Sequence, residues 1–367
     1  MSGGVDSSVS AALLKEQGFD VIGITITPFK IDENCRKIDN ERGCCSYKST
    51  IDAAIVCQQL GIKHIVVDLT DVFKSNIVDY FVNDYMEGRT PNPCVMCNPI
   101  IKWDELLKIA DAHNAKYLAT GHYANIRFDE QLKRYILSKG FDELKDQTYF
   151  LWQLNQEHLS RTIFPLGKFQ KTETRKTAER FNLSISQKPE SQEVCFIPDN
   201  DYHRFILNHQ LTHPMTSSHT MNNHYRNIEP GEIIFRGEIA GHHQGFPFYT
   251  IGQRKGIGVT YKDPLYVKKI IPEKNQIEIG TEDELYSIGL FADNINLVKY
   301  KNLSSSQLFS VKIRYKDSGS DANCRIDSDG LLYIDFIEKK RAVTPGQSVV
   351  MYEASDLIGG GIIKAFY

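Results

Sequence analysis

Hydrophobic residues follow two different periods along this chain, and the change from one to the other divides the sequence. In the first half, apolar residues recur at helical spacing, for example at Val9 and Leu13 and again at Ile51 and Ile55. Short apolar runs typical of buried strands alternate with these stretches, at 21–26, 64–68 and 117–120. Strands that alternate with helices predict a Rossmann-like α/β fold, with a parallel sheet covered on both faces.

The second half is predicted to be mainly β. Short strand patterns dominate from Glu229 onward, and the most regular alternation runs through 309–315. The segment 208–227 is predicted to be an irregular linker, and Gly359-Gly360-Gly361 is predicted to be a turn. Further strands are predicted at 233–235, 247–250, 265–267 and 277–279. We therefore predict an α/β domain over residues 1–200, a small β-rich domain over 201–280 and a last, mainly β domain over 281–367.

Composition narrows the class of protein. The chain has 367 residues, which is too many for one ordinary core. No apolar run approaches the ~18 residues that span a bilayer, and the N-terminus lacks the pattern of a signal peptide. We therefore predict a cytoplasmic protein with no membrane partner. The net charge of −3 argues against a nucleic-acid packaging protein but is compatible with a local RNA-binding surface.

The first candidate site is the string Ser2-Gly3-Gly4-Val5-Asp6-Ser7-Ser8, which leads directly into a predicted helix. Its glycines allow close approach of the backbone to a phosphate, its serines offer hydroxyls, and the helix N-terminus offers free N–H groups. It is not a Walker A loop, because no Gly-Lys-Ser/Thr closes it. Asp6 is predicted to coordinate magnesium or to orient the nucleotide. The alternative is an ordinary strand-to-helix turn capped by serine.

A phosphate loop of this kind normally follows a strand, whereas this chain begins at the loop itself, so we expect the true start to lie upstream. The string resembles the signature of the PP-loop ATP pyrophosphatases. That resemblance implies cleavage of ATP between the α- and β-phosphates. The superfamily also includes amidating synthetases, so the loop by itself indicates ATP chemistry and leaves the substrate open.

The cysteines suggest which substrate is used. They lie at positions 35, 44, 45, 57, 94, 97, 195 and 324. In a reducing compartment, a Cys-x-x-Cys pair such as Cys94 and Cys97 is typical of a catalytic or metal-binding site. Pro91 and Pro93 predict a rigid turn ahead of a helix, which would leave Cys97 near helix N-terminal N–H groups. Cys195 is predicted to lie in a short extended segment, whereas Cys57 and Cys324 fit buried, small apolar positions.

The order of several short motifs resembles that of the bacterial tRNA 2-thiouridylase family, over nearly the whole chain. These motifs are the phosphate loop, Thr90-Pro-Asn-Pro, Thr120-Gly-His-Tyr, Lys145-Asp-Gln, Cys195-Phe-Ile, Thr250-Ile-Gly-Gln-Arg-Lys-Gly-Ile-Gly, Arg314-Tyr315 and Val343-Thr-Pro-Gly-Gln. The resemblance implies ATP-dependent 2-thiolation of the wobble uridine of tRNA. It also implies a PP-loop domain followed by two small β domains, of which the last is a β-barrel.

The family's site residues match positions in this chain one by one. The resemblance implies that Cys97 is the nucleophile and that Cys195 carries a persulfide, with a Cys97–Cys195 disulfide as a product. It implies that Ile26 and Gly121 contact the nucleotide, together with residues 2–8. The positions implied to contact tRNA are Asn92, Pro93, Cys94, Lys145, Asp146, Gln147, Arg314 and Tyr315, with His122 and Gln347 as single contacts.

Cys94 departs from the family pattern, in which the best-known members have a proposed acid/base Asp. One hypothesis is that the Cys94 thiol transfers protons instead; another is that Cys94, Cys97 and Cys195 bind an iron–sulfur cluster. The implied partners are the tRNA anticodon loop and a sulfur donor such as a cysteine desulfurase or relay protein, with ATP and Mg²⁺ as cofactors. Two alternatives remain, a PP-loop ligase for a small molecule and an inactive RNA- or metal-binding relative. The basic run Lys339-Lys340-Arg341 is predicted to be a solvated sheet face.

Overall fold

The fold is described from a computed structural model of the whole chain, in full-atom detail. The structure describes residues 1–28, 47–189, 194–197, 199–212, 228–303 and 306–367. Cys35, Cys44, Cys45 and most of the predicted linker at 208–227 lie outside the described residues. Within the described part, no helix is both long and apolar enough to span a membrane.

The first 212 residues contain all of the α-helices that the structure describes. They are α1 Val5–Glu16, α2 Tyr47–Leu60, α3 Thr70–Phe73, α4 Asp79–Met86, α5 Pro93–Cys97, α6 Leu106–Ala112, α7 Gln156–Ser160, α8 Lys171–Arg180 and α9 Tyr202–Thr212. Two π-helical segments, Lys74–Val78 and Asn98–Glu105, join α3 to α4 and α5 to α6. The residues 93–112 therefore form one continuous helical rod.

Two short parallel sheets lie among these helices. Strand β1 (Ile22–Thr27) pairs in parallel with β2 (Lys63–Asp68), and β3 (Leu118–Ala119) pairs in parallel with β6 (Thr162–Ile163). Helices connect the strands of each pair, because parallel neighbours require a crossover connection. The predicted Rossmann-like α/β class is confirmed for this part of the chain.

Between β3 and β6 the chain forms a hairpin that belongs to a different sheet. Its strands are β4 (Ala124–Asp129) and β5 (Arg134–Lys139), which pair antiparallel. Strand β5 continues into the C-terminal sheet through the pair Ser138 and Asp356. The first-half polypeptide thus contributes two strands to a sheet built mainly from the last part of the chain, and the domain limits at 200 and 280 stay predictions.

The second half contains a four-stranded sheet and a barrel. The sheet has the order β8-β7-β10-β9, from β7 Gly231–Phe235, β8 Glu238–His243, β9 Tyr266–Ile271 and β10 Gln276–Gly280. The barrel strands are β11 Tyr286–Leu297, β12 Gln307–Lys312, β13 Ser320–Ile326, β14 Leu332–Arg341, β15 Ser348–Glu353 and β16 Asp356–Phe366. Their order is β11-β14-β13-β12-β15-β16, and β11 also pairs with β16, which closes the barrel. The implied C-terminal β-barrel is confirmed.

Three local predictions were wrong. Residues 247–250 were predicted as a strand, but a 3₁₀ turn spans Phe246–Phe248, because Pro247 cannot donate to a ladder. The strand predicted at 309–315 ends at Lys312, and a turn follows. Gly359-Gly360-Gly361, predicted as a turn, lies inside β16.

The glycines of β16 allow the barrel to pack closely against the first half of the chain. A Cβ on Gly360 would lie 2.6 Å from the Val349 carbonyl oxygen and 2.9 Å from the Trp152 ring. Trp152 is fully buried, and its indole Nε1 donates to Ser348 Oγ at 3.0 Å. Tyr149 donates to the Ser348 carbonyl at 2.9 Å. A local sequence rule for glycine could not anticipate this use, because the partner ring lies far away in sequence.

Candidate functional site

The loop at residues 2–4 leads into α1 without a side-chain cap, an arrangement that suits an anion at the helix N-terminus. Gly4 is extended, with φ −100° and ψ 166°, and α1 begins at the next residue. Because Gly4 has no side chain, it cannot cap the first-turn N–H groups, which leaves them for an anion. Gly3 has φ +65°, and a Cβ there would lie 2.1 Å from the Ser49 carbonyl oxygen. Glycine is therefore required at position 3 for both conformation and space.

The serines of the loop hold its shape. The Ser2 N–H donates to Ser7 Oγ at 3.1 Å, and the two hydroxyls are also 3.1 Å apart. Ser8 is buried, and its hydroxyl donates to the Gly4 carbonyl at 2.8 Å. These contacts tie the turn to the first turn of α1. The Ser8 hydroxyl therefore stabilises the loop through its hydrogen bond to the loop backbone.

The Asp6 carboxylate faces a lysine that sequence reasoning missed. Lys171, the first residue of α8, places Nζ 2.6 and 2.8 Å from the two carboxylate oxygens of Asp6. The Tyr123 hydroxyl lies 3.0 Å from Asp6 Oδ1 and 2.9 Å from Thr174 Oγ1. An ammonium group therefore lies beside the phosphate loop, and Asp6 is engaged by a protein cation in this arrangement.

A second lysine reaches the loop from the other side. Lys188 Nζ donates to the Gly3 carbonyl at 3.0 Å and to Asp52 Oδ2 at 2.6 Å. Lys188 also precedes the segment that contains Cys195, so it links that part of the chain to the phosphate loop. No motif or spacing in the sequence marks Lys171 or Lys188, because only the tertiary fold brings them to residues 2–8.

The two other predicted nucleotide positions lie next to the loop or along its strand. A Cβ on Gly121 would lie 2.7 Å from both the Asp6 carbonyl carbon and the Ser7 nitrogen, so Gly121 abuts the start of α1. Ile26 is half-buried near the end of β1 and packs against the core clusters on both sides. The structure thus brings Gly121 to the phosphate loop and places Ile26 between two apolar clusters, one of which borders Cys97 and Cys195.

Cys94 and Cys97 lie on the N-terminal part of the helical rod. Pro93 is the first residue of α5, a position where proline is tolerated because its missing N–H would be unpaired in any helix. The predicted turn included Pro93, but Pro93 belongs to the helix that follows, so the prediction was wrong at this residue. Cys94 occupies the first turn and is exposed, whereas Cys97 ends α5 and is half-buried. Cys94, rather than Cys97, is the cysteine nearest the helix N-terminus.

Cys195 lies in a tight turn. The Ile197 N–H donates to the Val194 carbonyl at 3.0 Å, so the predicted extended segment is not found at 194–197. Cys97 and Cys195 both pack against one apolar cluster, which we name the cysteine cluster. Its buried members are Leu69, Phe73, Ile77, Val78, Phe81, Val82, Tyr85, Met86, Ile101, Phe196, Ile197 and Ile206. Ile26 packs against the same cluster, so this core borders both the predicted nucleotide contact and the two predicted catalytic cysteines.

The metal hypothesis fits this geometry poorly. Within the ranges that the structure describes, no group of three or more His, Cys, Asp or Glu side chains is arranged to hold a metal ion. Cys94 is exposed, while Cys97 and Cys195 are half-buried against the cysteine cluster. We therefore derive no chemistry through an iron–sulfur cluster and assign no residue to a metal. Cys57 and Cys324 are buried, as predicted.

The segment 145–147, implied to contact tRNA, is fastened to the protein. Asp146 is buried, and its carboxylate accepts from Thr148 Oγ1 at 2.9 Å and from the Gly140 N–H at 3.3 Å. Burial raises the pKa of Asp146 above its ordinary value. Gln147 accepts from the Tyr123 N–H at 3.1 Å through Oε1. Lys145 is half-buried.

Arg314 and Tyr315 lie in the turn after β12. Arg314 is exposed, and the Tyr315 ring lies 4.6 Å from the Phe150 ring, centroid to centroid. Asn98, the neighbour of Cys97, donates to the Phe150 carbonyl at 2.7 Å. Phe150 therefore connects α5, which carries Cys94 and Cys97 and is called the cysteine helix below, to the turn after β12. These predicted positions, distant in sequence, thus lie in one region.

The turn that holds Arg314 rests on a buried ion pair. Asp317 accepts from the Ile313 N–H at 3.0 Å and from Lys340 Nζ at 2.8 Å. Burial alone would raise the pKa of Asp317, but these hydrogen bonds outweigh it and hold the pKa below its ordinary value. Lys340 is only 9% exposed, so the prediction of a solvated face was wrong at this position.

His122 and Gln347 are both held by protein groups. His122 Nδ1 lies 2.8 Å from Thr120 Oγ1, and its ring lies near Trp103 and Phe164. Burial, together with the charge of Lys102, holds the pKa of His122 well below its ordinary value, so the ring is neutral at pH 7. Gln347 Nε2 donates to the carbonyl oxygens of 90 and 91, at 2.9 and 3.3 Å.

Comparison with known proteins identifies the family. Three family models match, described as a tRNA methyl transferase HUP domain over 1–199, a tRNA methyl transferase PRC-barrel domain over 219–281 and an aminomethyltransferase β-barrel domain over 287–363. The tRNA-specific 2-thiouridylase MnmA of Salinibacter ruber is 45% identical over 99% of this chain and 92% of that protein. The tRNA-specific 2-thiouridylase MnmA 1 of Thermoanaerobacter pseudethanolicus is 46% identical over 99% of this chain and 96% of that protein.

A solved structure, the U34-tRNA thiolase NcsA from Methanococcus maripaludis with its 4Fe-4S cluster, covers 58% of this chain and 65% of that chain, with 22% identity and a TM-score of 0.32. That likeness is too low to support a conclusion about this protein. The full-length relatives are sufficient by themselves, because they match the phosphate-loop half and both β regions together. The chain belongs to the tRNA-specific 2-thiouridylase family.

Proposed function

We propose that this protein is an ATP-dependent sulfurtransferase that converts the wobble uridine (position 34) of tRNA to 2-thiouridine. The observation that carries the proposal is the shared packing of Cys97 and Cys195, distant in sequence, against the cysteine cluster. Ile26, which is predicted to contact the nucleotide, packs against the same cluster. An enzyme that only used ATP would need the phosphate loop but not this arrangement of two thiols.

The first step is activation of the base. The uridine C2 oxygen attacks the α-phosphorus of ATP, and pyrophosphate leaves, which turns the oxygen into a good leaving group. The N–H groups at the start of α1 are the anion site for the phosphates. Lys171 and Lys188, paired with Asp6 and Asp52, place ammonium N–H donors at the same loop, where they can donate to phosphate oxygens as charge develops on pyrophosphate.

The second step is transfer of sulfur. A sulfur donor loads Cys195 as a persulfide, and the terminal sulfur attacks C2 of the activated base while AMP leaves with the former C2 oxygen. Cys97, as thiolate, attacks the Sγ of Cys195, which releases the sulfur and forms a Cys97–Cys195 disulfide. A thiol reductant then restores both cysteines. The wobble base has to turn out of the anticodon stack to expose C2, which a loop nucleotide does at small energetic cost.

Cys94 lies on the same helix as Cys97. It is exposed in the first turn of α5, three residues before Cys97. We propose that it faces the target base in place of the acid/base carboxylate of better-known relatives. Cys94→Asp is then expected to retain or raise thiolation, whereas Cys94→Ala is expected to lower it.

The test is incubation of the protein with bulk tRNA, ATP, Mg²⁺ and a persulfide donor, such as a cysteine desulfurase supplied with cysteine, followed by mass spectrometry of the nucleosides. We expect 2-thiouridine, and we expect Cys97→Ser and Cys195→Ser each to abolish it with a persulfide-loading donor. Cys57→Ala is the matched control, because Cys57 is buried in α2 and is expected to be dispensable for catalysis.

Three outcomes would contradict the proposal. A small-molecule ligase would tolerate both cysteine substitutions and release pyrophosphate without tRNA. An inactive binding protein would release no pyrophosphate at all. A methyl transferase, the word in the family-model descriptions, would give methylated nucleosides, which differ in mass from thiolated ones.

A further inference from the structure

The loop 344–347 of the barrel meets the chain just before the cysteine helix. The Thr90 N–H donates to the Pro345 carbonyl at 2.9 Å. Gly346 has φ +88°, and a Cβ there would lie 2.9 Å from both the nitrogen and the oxygen of Thr90. Thr90 Oγ1 also lies 3.3 Å from Thr250 Oγ1, in the middle region of the chain. Thr90 is therefore a junction of three regions of the protein.

The side-chain amide of Gln347 donates both of its hydrogens to the backbone at Thr90 and Pro91. A glutamine amide nitrogen has two hydrogens, and Gln347 Nε2 has two acceptors, the Thr90 carbonyl at 2.9 Å and the Pro91 carbonyl at 3.3 Å. The side chain is half-buried, and Pro91 is buried. The same amide group cannot also donate to an RNA base while it holds these two carbonyls.

The barrel holds Gln347 rigidly on its own side. The Gln347 carbonyl accepts from the Ile363 N–H at 2.8 Å, and the Gly346 N–H donates to the Ile363 carbonyl at 2.9 Å. Residues 346 and 347 are thereby fixed to β16. A displacement of Gln347 relative to the barrel would break these backbone bonds, so the barrel and the Thr90–Pro91 backbone move together.

The two carbonyls lie immediately before the start of the cysteine helix. Asn92 is the N-cap residue of α5, and its carbonyl accepts from the Val95 N–H at 3.2 Å. Holding the carbonyls of residues 90 and 91 fixes the two peptide planes that precede Pro93. The direction in which α5 leaves Pro93, and with it the position of Cys97 at the end of α5, follows from those planes.

We infer that Gln347 is a positioning residue that sets the direction of α5 from the barrel. The inference deepens the proposed function, since it concerns the placement of the proposed nucleophile. It also gives the barrel a part in catalysis, because the loop 344–347 transmits the position of the barrel to Cys97.

The test measures Cys97 directly in the full-length protein without tRNA or ATP. The variants are Gln347→Met, which removes the donors at similar length, and Gln347→Asn, which keeps the amide but shortens the side chain. Alkylation by iodoacetamide is followed at each cysteine by peptide mass spectrometry. We expect the alkylation rate of Cys97 to rise by about tenfold in both variants, because the backbone before Pro93 is held less firmly without the two hydrogen bonds and the whole of α5, with Cys97 at its end, opens more often.

Two controls separate this effect from others. Gln276→Met removes an amide hydrogen bond of 2.7 Å to Glu232 in the four-stranded sheet and should leave Cys97 unchanged. The buried Cys57 should stay protected in every variant, which shows that the fold is intact. If Cys57 becomes alkylated in Gln347→Met, that variant has lost its fold, and the inference is then tested with the milder Gln347→Asn.

Unchanged alkylation of Cys97 in the folded variant would overturn the inference, whatever happens to tRNA binding. Under the inference, kcat for thiolation falls about tenfold or more, since a small misplacement of a reacting group is costly. A direct RNA contact would instead weaken tRNA binding and leave Cys97 as it was. If the wild-type protein fails to thiolate tRNA, the proposed function fails, but the alkylation result still stands.

Discussion

Asp356→Asn is expected to loosen the attachment of the β4–β5 hairpin to the barrel. Asp356 begins β16 and is nearly buried, and its carboxylate accepts hydrogen bonds of 2.8 Å from Arg127 Nη1 and Nη2, Ser138 Oγ and Lys299 Nζ. Burial alone would raise the pKa of Asp356, but these bonds outweigh it and hold the pKa well below its ordinary value. The ionised carboxylate is therefore part of the native structure at neutral pH.

The expected loss follows from the geometry. Asparagine keeps one oxygen for Ser138 and one Arg127 nitrogen, but it turns an NH₂ group toward the other Arg127 nitrogen and Lys299. Two charge-assisted bonds are lost, each worth about 1.5–3 kcal/mol. Arg127 is 50% exposed, and Lys299 keeps its ion pair with Glu353, so the sum must be discounted for solvent. We expect a decrease of about 2–3 kcal/mol in the free energy of unfolding.

The assay is urea unfolding followed by tryptophan fluorescence, because Trp152 reports the barrel contact through Ser348. The matched control is Asp293→Asn, whose ion pair with Lys364 is long, at 3.8 Å, and exposed. We expect that control to change stability by less than about 0.5 kcal/mol.

The pH dependence gives an independent check. The folded pKa of Asp356 is lowered, so its contribution to stability is fully present above the unfolded pKa of about 3.9 and is lost as the pH falls through the folded value. The stability gap between the wild type and Asp356→Asn should therefore be constant from pH 7 to pH 5 and narrow below pH 4. A variant as stable as Asp293→Asn at pH 7, or a gap that widens in acid, would refute the reasoning.

Two further substitutions test packing and catalysis. Gly360→Ala should lower the free energy of unfolding by about 1–3 kcal/mol, because the added methyl would lie 2.9 Å from the Trp152 ring, whereas Gly241→Ala, with an ordinary nearest contact of 3.4 Å, should not. Equal stabilities of the two variants would contradict the close approach. Lys171→Met should slow ATP-dependent pyrophosphate release by about 10²-fold, whereas Lys176→Met, exposed on the same helix, should leave it unchanged. A normal rate for Lys171→Met would remove that lysine from the phosphate site.

The sequence was informative where structure and chemistry are local. The glycines and serines of residues 2–8 dictate both a turn and an anion site within a few residues, so the loop and α1 could be predicted together. Lys171 and Lys188 could not be predicted, because their role depends on contacts with Asp6 and Gly3 across more than half of the α/β region.

The errors arose where two rules for the same residue compete. Proline breaks a helix in its interior but suits its first position, and Pro93 follows the second rule. Glycine marks turns, but it also allows close packing, and Gly360 serves the second purpose against Trp152. Lys340 belongs to a basic run that normally lies in solvent, yet it is buried because its ammonium group donates to Asp317 and to Ser320. For Gly360 and Lys340 a distant partner decides the outcome, and the local sequence pattern does not identify that partner.

The contact of Trp152 with Ser348 and Gly360 has a consequence for the order in which the protein is made. A ribosome completes the α/β region long before β15 and β16 emerge, so during synthesis the indole has no barrel to pack against. Likewise, β5 cannot pair with β16 until Asp356 has been synthesised, and the backbone before Pro93 lacks its hydrogen bonds to the barrel until Gln347 has been synthesised. The nascent chain therefore holds α5 incompletely supported until the last strands arrive, which delays completion of the proposed cysteine site until translation is nearly over.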